Sequence, residues 1–408
     1  MAEMDRRRAL GLIGLGGVGL GGAGLASAPV WAQGVFDLGL PGGNGARAVA
    51  GGFPGKGNMI LQRARAPLLE TPMDALDGQV FTPNDRFFVR WHYSDIPTSV
   101  DVRTFRLNIG GAVRRRLSIS LADLLKMPRV EIAAINQCSG NSRGHFFPRV
   151  PGAQWGNGAI GNAKWVGVSL RHLLDLAGVA PHAVAVRVGG LDKPPPGAAP
   201  FEKSLTLDHA RDGEVMVAFQ MNNMQLPMLN GFPLRLIVPG WYSTYWVKAL
   251  DRIEVLDAPD TGYWMDKAYR IPDTPGANVV PGAKDFPTVP INRMIPRVFF
   301  TNMADGAKVV AHSPFYIRGL AMGGTSAVAR VDLSMDGGRS WHAAPLGPDH
   351  GKYGFRLWEA TVPPQPPGDY GIAVRCTNAA GQTQVRQPTW NPAGFMRNAI
   401  ESIRVTAA

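Results

Sequence analysis

The chain reads Gln137-Cys138-Ser139-Gly140-Asn141-Ser142-Arg143-Gly144 directly after a strand-like run from Val130 to Asn136. The small side chains of this loop would let a large ligand approach the cysteine, and a thiolate is a ligand that soft metals prefer. Arg143, five positions after Cys138, would attract an anion to the same place. The residues alone leave two interpretations open, a metal-binding loop or an ordinary loop with one cysteine.

Two other stretches place basic side chains in apolar surroundings. Arg90 and His92 are two positions apart in a strand-like run, which puts them on one face of the strand. Such a pair usually lies at the protein surface. Arg235 interrupts the apolar run from Asn230 to Gly240. If Arg235 is buried, it needs an anion as a partner.

Four motifs together resemble the sulfite oxidase family, in the family's order and at its spacing. They are the segments Phe88–His92, Cys138–Arg143, Trp155–Trp165 and Gly231–Arg235. The likeness covers about residues 60 to 408. Within the family it points to the bacterial periplasmic sulfite dehydrogenases, which lack the fused haem domain of the animal enzymes. The resemblance implies an oxidoreductase with a molybdenum-molybdopterin cofactor.

Composition and resemblance both predict an α+β protein that is mostly β. The 50 glycines and 34 prolines indicate many turns and short strands rather than long helices. Two helices are clear, Ser120 to Met127 behind a serine cap and Ser169 to Ala177 with an apolar face of Leu170, Leu173, Leu174 and Leu176. The resemblance implies a sulfite-oxidase-type molybdopterin domain over residues 61–290, followed by an immunoglobulin-like β-sandwich domain over residues 291–408.

The segment after about residue 290 has its own strand pattern, beyond a proline- and glycine-rich stretch. Ala327 to Met335 alternates apolar and polar side chains and leads into an Asp336-Gly337-Gly338 turn, which predicts a hairpin. Cys376 is expected to be a buried apolar thiol in one of the strands. Further strands are predicted at Phe355–Thr361, Asp369–Asn378 and Ser402–Thr406.

The first 32 residues resemble a twin-arginine signal peptide. Three arginines, at positions 6 to 8, precede a glycine- and leucine-rich stretch that reaches Val30, and small residues would allow cleavage after Ala28 or Ala32. The pattern predicts export to the periplasm, which suits a protein that receives a bulky cofactor before it crosses the membrane. Residues 33–60 are predicted to be a lead-in segment, poorly structured from Gly34 to about Gly57.

The formal net charge of +11 requires an explanation. The chain has no run of five or more basic residues and no repeat of aromatic and basic residues, so a small anion is a better partner than nucleic acid. The two cysteines, Cys138 and Cys376, form neither a CxxC pair nor the CxxCH motif that attaches a c-type haem. We therefore expect no haem on this chain.

The resemblance assigns roles to individual residues. Cys138 would be the thiolate ligand of molybdenum, whereas Tyr242 and Tyr245 would be structural. The catalytic residues around the substrate would be Arg90, His92, Arg143 and Tyr269. The cofactor would be bound by Phe88, Val89, Arg90, Trp91, His92, Cys138, Asp192, Asn230, Arg235, Trp246, Val247 and Lys248.

Two positions depart from the family's pattern. Asn230 stands where many members have a histidine before Gly-Phe-Pro, and an asparagine cannot be charged. Ala393, in the run Trp390 to Gly394, stands where the animal enzymes have an arginine. The pocket would therefore lose one positive charge. Arg397, four residues later, either replaces that charge or is a surface residue.

The predicted function is the oxidation of sulfite to sulfate, with electrons passed to a c-type cytochrome, in a homodimer formed through the C-terminal domain. A sulfur dehydrogenase that acts on sulfane sulfur, or a nitrate reductase, would use the same cofactor and is the alternative. Gly140 to Gly144 also fits the GxSxG motif of serine hydrolases. However, Pro148 and Pro151 oppose the helix that this motif requires. The third interpretation is a binding module without catalysis.

Overall fold

Short β-strands dominate the part of the chain that the computed structural model describes, residues 34–408. Strands account for 37% of the chain and helices for 10%, which confirms the prediction of a mostly β, α+β fold. Residues 35–408 form one compact unit. The signal peptide predicted for residues 1–32 lies outside the described residues. Among the residues that are described, no helix is both long enough and apolar enough for a membrane span.

The first five strands form an antiparallel sheet in chain order. Their bounds are β1 (Val35–Asp37), β2 (Ala46–Ala50), β3 (Met59–Arg63), β4 (Leu68–Glu70) and β5 (Val89–Arg90). The prediction of a poorly structured lead-in is therefore wrong. Strands β1 and β2 lie within it, and Ala50 and Met59 are buried in a small core with Trp91 and Leu229. The strands are short and flanked by glycine, so their alternation does not stand out in the sequence.

Two further sheets form the centre of the molecule. One has the order β11-β10-β15-β6-β7, with β15 parallel to β6, and the other has the order β13-β12-β9-β8, with β14 paired to β12. Their bounds are β6 (Arg106–Gly111), β7 (Leu117–Ser120), β8 (Val130–Gln137), β9 (Ile160–Ser169), β10 (Ala185–Gly190), β11 (Glu202–Thr206), β12 (Met216–Met221), β13 (Met224–Gln225), β14 (Arg235–Ile237) and β15 (Leu250–Leu256). Both sheets contribute to one large hydrophobic core.

The α-helices are short, as the composition indicates: α1 (Leu121–Leu124), α2 (Leu170–Ala177), α3 (Leu207–Ala210) and α4 (Tyr263–Asp266). Ser120 is the N-cap of α1, because its hydroxyl accepts the backbone N–H of Asp123 at 3.1 Å. The helix ends three residues earlier than predicted. The buried face of α2 contains three of the four predicted leucines, but Leu176 is 38% exposed and Ala177 is buried instead.

The C-terminal part is the predicted β-sandwich. A hairpin of β16 (Arg270–Pro272) and β17 (Thr288–Pro290) precedes two sheets, ordered β18-β20-β23 and β19-β25-β24-β21-β22. Their bounds are β18 (Arg297–Phe300), β19 (Ala307–Val309), β20 (Phe315–Met322), β21 (Val328–Ser334), β22 (His342–Ala344), β23 (Arg356–Val362), β24 (Gly368–Asn378) and β25 (Glu401–Ala407). The sheets enclose a second core that contains Cys376, and burial raises the pKa of this thiol to about 12.

One glycine between β8 and β9 has no room for a side chain. Gly158 donates its N–H to the carboxylate of Glu70 at 2.9 Å and accepts the N–H of Thr71 at 3.1 Å. A Cβ at this position would overlap the carbonyl oxygen of Thr71. Because that oxygen belongs to the backbone, the overlap cannot be relieved by a change of rotamer.

We predict that Gly158→Ala lowers the free energy of unfolding by about 1–3 kcal/mol, the usual cost of overpacking. Urea unfolding followed by tryptophan fluorescence would measure it. The control is Gly51→Ala, because no atom lies within 4 Å of a Cβ at Gly51. Equal stability of the two variants would contradict the packing described for this loop.

Candidate active site

One cavity brings together residues that are far apart in the sequence. The empty space inside it, together with the part that opens to solvent, is about 420 Å³. Its walls are formed by Phe88, Arg90, His92, Asn136, Cys138, Ser139, Phe201, Asn230, Arg235, Ser243, Thr244, Lys248 and Tyr269. Eight of the predicted site residues lie in this wall. Six others do not: Val89, Trp91, Arg143, Asp192, Trp246 and Val247.

The alternation of strand β5 explains part of this division. Phe88, Arg90 and His92 line the cavity, whereas Val89 and Trp91 face the small core on the opposite side. The indole nitrogen of Trp91 donates to the carbonyl of Leu229 at 3.0 Å. The side chains of Val89 and Trp91 therefore support the wall from behind.

Near Lys248 as well, some of the predicted cofactor-binding residues line the cavity and others do not. Trp246 and Val247 are fully buried in the large core, and the indole of Trp246 donates to the carbonyl of Trp241 at 3.0 Å. Asp192 is 7% exposed and lies outside the cavity wall. Burial raises the pKa of Asp192, while the charge of Lys248 opposes that rise. Only Lys248 of this stretch reaches the cavity.

Cys138 lies at the carboxyl end of β8 and is a free thiol in the wall. Its N–H donates to the carbonyl of Ala159 at 2.9 Å, so the loop is fixed against the start of β9. Ser142, four residues on, has a left-handed backbone with φ of 66°. This conformation turns the chain back so that the N–H of Ser142 reaches the carbonyl of Gly156 at 2.7 Å. The cysteine is held rigidly at one edge of the central sheet.

The cavity has an excess of positive charge. Arg90, Arg235 and Lys248 are in its wall, but no carboxylate is among the wall residues that the structure describes. Burial lowers the pKa of Arg235 to about 9, and burial together with Arg235 lowers the pKa of Lys248 to about 7. Within the described residues, Nη1 of Arg90 and Nε of Arg235 are buried without a hydrogen-bond partner. Unpaired buried donors of this kind fit an anionic ligand.

Tyr269 and His92 form a hydrogen-bonded pair at the cavity. The Nε2 atom of His92 lies 2.7 Å from the phenolic oxygen of Tyr269. Burial and the charge of Arg90 lower the pKa of His92 well below its usual value, so the ring is neutral and in one of its two tautomers accepts a hydrogen bond from the phenol. Burial raises the pKa of Tyr269, which keeps the phenol protonated. The ring of Tyr269 stacks on Phe395, with centroids 5.4 Å apart.

Arg143 lies beside the cavity rather than in its wall. Its guanidinium donates to the carbonyls of Ala393, at 3.2 and 3.3 Å, and of Ala153, at 3.3 Å. Its Cζ atom lies 5.2 Å from the ring centre of Phe395. Nearby glycines make room for it, since a Cβ at Gly140 would meet the guanidinium. The structure thus gives Arg143 backbone carbonyl partners, which the sequence did not suggest.

Arg397 is neither in the cavity wall nor at the surface, contrary to both alternatives drawn from the sequence. Its side chain is 12% exposed, and its Nη1 lies 3.1 Å from Glu401. The same carboxylate oxygen lies 2.7 Å from Arg297, which also donates to the hydroxyl of Ser142 at 3.1 Å. The C-terminal domain therefore contacts the cysteine loop through Arg297. The sequence gives no signal for this pair, because Arg297 and Glu401 are 104 positions apart.

Two protein-family models match separate parts of this chain. Residues 93–264 match the model of the oxidoreductase molybdopterin binding domain, and residues 291–407 match the model of the Mo-co oxidoreductase dimerisation domain. Sulfite oxidase of Gallus gallus is 32% identical, over 81% of this chain and 74% of its own length. Mitochondrial sulfite oxidase of Homo sapiens is 34% identical over 82% of this chain, but the match spans only 63% of the human protein.

One solved structure shares the fold across most of the chain. The sulfane dehydrogenase SoxCD from Paracoccus pantotrophus has a TM-score of 0.72 and 24% identity, and covers 85% of this chain and 88% of that one. Fold and cavity define a molybdopterin-binding oxidoreductase with a dimerisation domain. The relatives show that the chain belongs to the sulfite oxidase family.

The cavity fits the cofactor that this family implies, molybdenum bound by molybdopterin. The free thiol of Cys138 would be the protein's ligand to the metal, since a thiolate binds soft metals. Arg235, Lys248 and Asn230 would hold the anionic parts of the organic ligand, because all three carry donors, line the cavity and share its wall with no carboxylate of the described residues. When bound, the cofactor supplies the redox chemistry.

We predict that Glu401→Gln lowers the free energy of unfolding by about 3–5 kcal/mol, because two buried arginines lose their carboxylate. Burial alone would raise the pKa of Glu401, but Arg397 and Arg297 hold it below its usual 4.5. The stabilisation by this charge pair is therefore complete above pH 4.5, and it is lost as the pH falls through the lower pKa of Glu401 in the folded protein. Urea unfolding should show a difference between wild type and variant at pH 7 that shrinks in acid.

The matched control is Glu359→Gln, on the exposed side of β23. Its effect on stability should be small at both pH values, because its carboxylate has no buried partner to leave behind. A Glu401→Gln effect that stays constant from pH 7 into acid would contradict the assigned charge pair.

Proposed function

We propose that this chain is the catalytic subunit of a sulfite dehydrogenase, which oxidises sulfite to sulfate at a molybdenum-molybdopterin centre. The observation that carries the proposal is the cavity itself, in which a free thiol lies among buried cations that lack a carboxylate. Sulfite is an anion, and guanidinium groups in a partly desolvated pocket bind oxyanions more strongly than exposed ones. The catalytic residues are Arg90, His92, Arg143 and Tyr269.

Each of these residues has a distinct task in the proposal. Arg90 binds sulfite oxygens, because its Nη1 is buried without a partner among the described residues. Arg143 adds a second positive charge beside the cavity while the carbonyl of Ala393 fixes its position. Tyr269 remains a phenol and orients the substrate or product, and neutral His92 holds the phenol in place. The reaction consumes water and releases two protons and two electrons.

The electron acceptor in this proposal is a c-type cytochrome on another chain. The sequence contains no CxxCH motif for covalent haem attachment. The twin-arginine pattern at residues 6–8 supports export to the periplasm, a compartment in which c-type cytochromes work. The match of residues 291–407 to a dimerisation domain supports a homodimer formed through the sandwich.

A second substrate class has one observation in its favour. Ala393 contributes a methyl group where the animal enzymes have an arginine, and Arg397 does not replace that charge because it is paired with Glu401. A pocket with fewer cations would suit a larger sulfur compound with a lower charge density, such as sulfane sulfur carried by a partner. The alternative proposal is therefore a sulfur dehydrogenase with the same cofactor.

The decisive experiment measures molybdenum and sulfite-dependent cytochrome c reduction on protein from a host that makes molybdopterin. We expect one molybdenum per chain and sulfite-dependent activity. Cys138→Ser should lose molybdenum, whereas Cys376→Ser should retain it, because Cys376 lies in the sandwich core. Molybdenum without sulfite activity would favour the alternative substrate. No molybdenum in the wild type would refute the proposal.

We predict that Arg143→Gln raises KM for sulfite more than it lowers kcat, by about ten- to hundredfold, the value of one charged hydrogen bond. The reason is that the charge beside the cavity stabilises the bound anion before the reaction as well as during it. Arg129→Gln is the control, since Arg129 is exposed and outside the cavity wall. Steady-state kinetics that show an unchanged KM would contradict the role given to Arg143.

A further inference from the structure

Lys56 is a partly buried cation that no motif in the sequence indicates. It lies in the loop between β2 and β3, within the segment that the sequence predicted to be poorly structured. Its ammonium donates to the carbonyls of Asn84, at 2.7 Å, and Phe87, at 2.8 Å, and to the side-chain oxygen of Asn230 at 2.6 Å. A lysine ammonium has three donors, and all three are used. Lys56 is therefore fixed in one orientation.

The contact with Lys56 determines how the amide of Asn230 is oriented. The ammonium requires an acceptor, so the side-chain oxygen of Asn230 must face it, and the amide nitrogen must face the other way. That nitrogen donates one hydrogen to the carbonyl of Phe88 at 3.1 Å. Among the described residues this nitrogen has no other acceptor, and Asn230 is a wall residue of the cavity.

Lys56 also places charge behind the wall. Its ammonium is close enough to Arg235 for the two charges to repel, and burial is the main cause that lowers the pKa of Lys56 to about 7. Lys56 makes no ion pair within 4 Å among the described residues, although Asp85 acts on it from a greater distance. An anion on the other side of Asn230 would offset the cost of burying this charge.

We propose that Lys56 is a positioning residue for the cofactor: it orients Asn230 to donate a hydrogen bond to an anionic group of molybdopterin and adds a positive charge behind it. The amide of Asn230 supplies the donor, and Lys56 supplies the charge that an asparagine alone lacks. The lead-in segment is then part of the cofactor site. The inference rests on the cofactor of the proposed function and is independent of the choice of sulfite as substrate.

The first test compares Lys56→Met with wild type in molybdenum and pterin content after gel filtration, and in the rate of cofactor loss. Methionine retains the length of the side chain without its charge and donors. We expect cofactor loss to be about ten- to hundredfold faster, as is typical when a residue behind a metal site is removed. Lys126→Met is the control, because the side chain of Lys126 is 76% exposed.

The second test is Asn230→Asp, which separates cofactor binding from stability. The carboxylate strengthens the contact with Lys56 but gives up the hydrogen bond that the amide donates to the carbonyl of Phe88, so the two effects oppose each other and the cofactor-free protein should still fold cooperatively. The same change removes the amide donor and adds a negative charge to the cavity wall, so the cofactor should be lost. A purely structural contact would give a stable variant that still retains the cofactor.

Wild-type retention of molybdenum and pterin by either variant would overturn the inference. If Lys56→Met does not fold, Lys56→Gln is measured in its place, because glutamine keeps a hydrogen-bond donor at this position and removes the charge. These measurements follow the cofactor and use no substrate. If the variants retain the cofactor, the inference about Lys56 fails and the proposal of sulfite oxidation stands. If the wild-type protein holds the cofactor but does not oxidise sulfite, the proposed substrate fails and the inference about Lys56 stands.

Discussion

Positive charge buried around one cavity is the constraint on which the rest of this structure depends. Arg90, Arg235 and Lys248 are in the wall, and none forms an ion pair within 4 Å among the described residues. Removing such charges from water costs several kcal/mol each unless an anion accompanies them. The lowered pKa values of Arg235 and Lys248 express that cost. A bound anionic cofactor removes it, so cofactor binding and the stability of this region are coupled.

Two other parts of the chain hold the cysteine loop in place beside this cavity. The N-terminal sheet contributes Glu70, whose carboxylate accepts the N–H groups of Gly156 and Gly158 next to the cysteine loop. Burial raises the pKa of Glu70 to about 7, against the opposing effect of these hydrogen bonds. The C-terminal sandwich contributes Arg297, which reaches the hydroxyl of Ser142. The cysteine loop is therefore fixed from both sides by segments that are distant in sequence.

The parts that could be predicted from the sequence are those that depend on local pattern. Alternation along a strand predicted β21 and correctly placed Arg90 and His92 on one face, because side chains in a strand alternate with period two. The same alternation places the side chains of Val89 and Trp91 on the opposite face of the strand, outside the cavity. The prediction that all five residues of Phe88–His92 bind the cofactor did not take this alternation into account. The contacts of Lys56 with Asn230 and of Arg297 with Glu401 could not be predicted, because the partners are 174 and 104 positions apart in the sequence.

The structure gives part of the net charge of +11 a different explanation from the one that the sequence suggests. In a sequence, such an excess suggests a basic surface for an acidic partner. Here five cations lie in or directly behind the cavity wall, and none is in ion-pair contact with a carboxylate of residues 34–408: Lys56, Arg90, Arg143, Arg235 and Lys248. They equal about half of the excess. Because their charge is inside the protein, it acts on the cofactor and on small anions that enter the cavity, and much less on macromolecules outside.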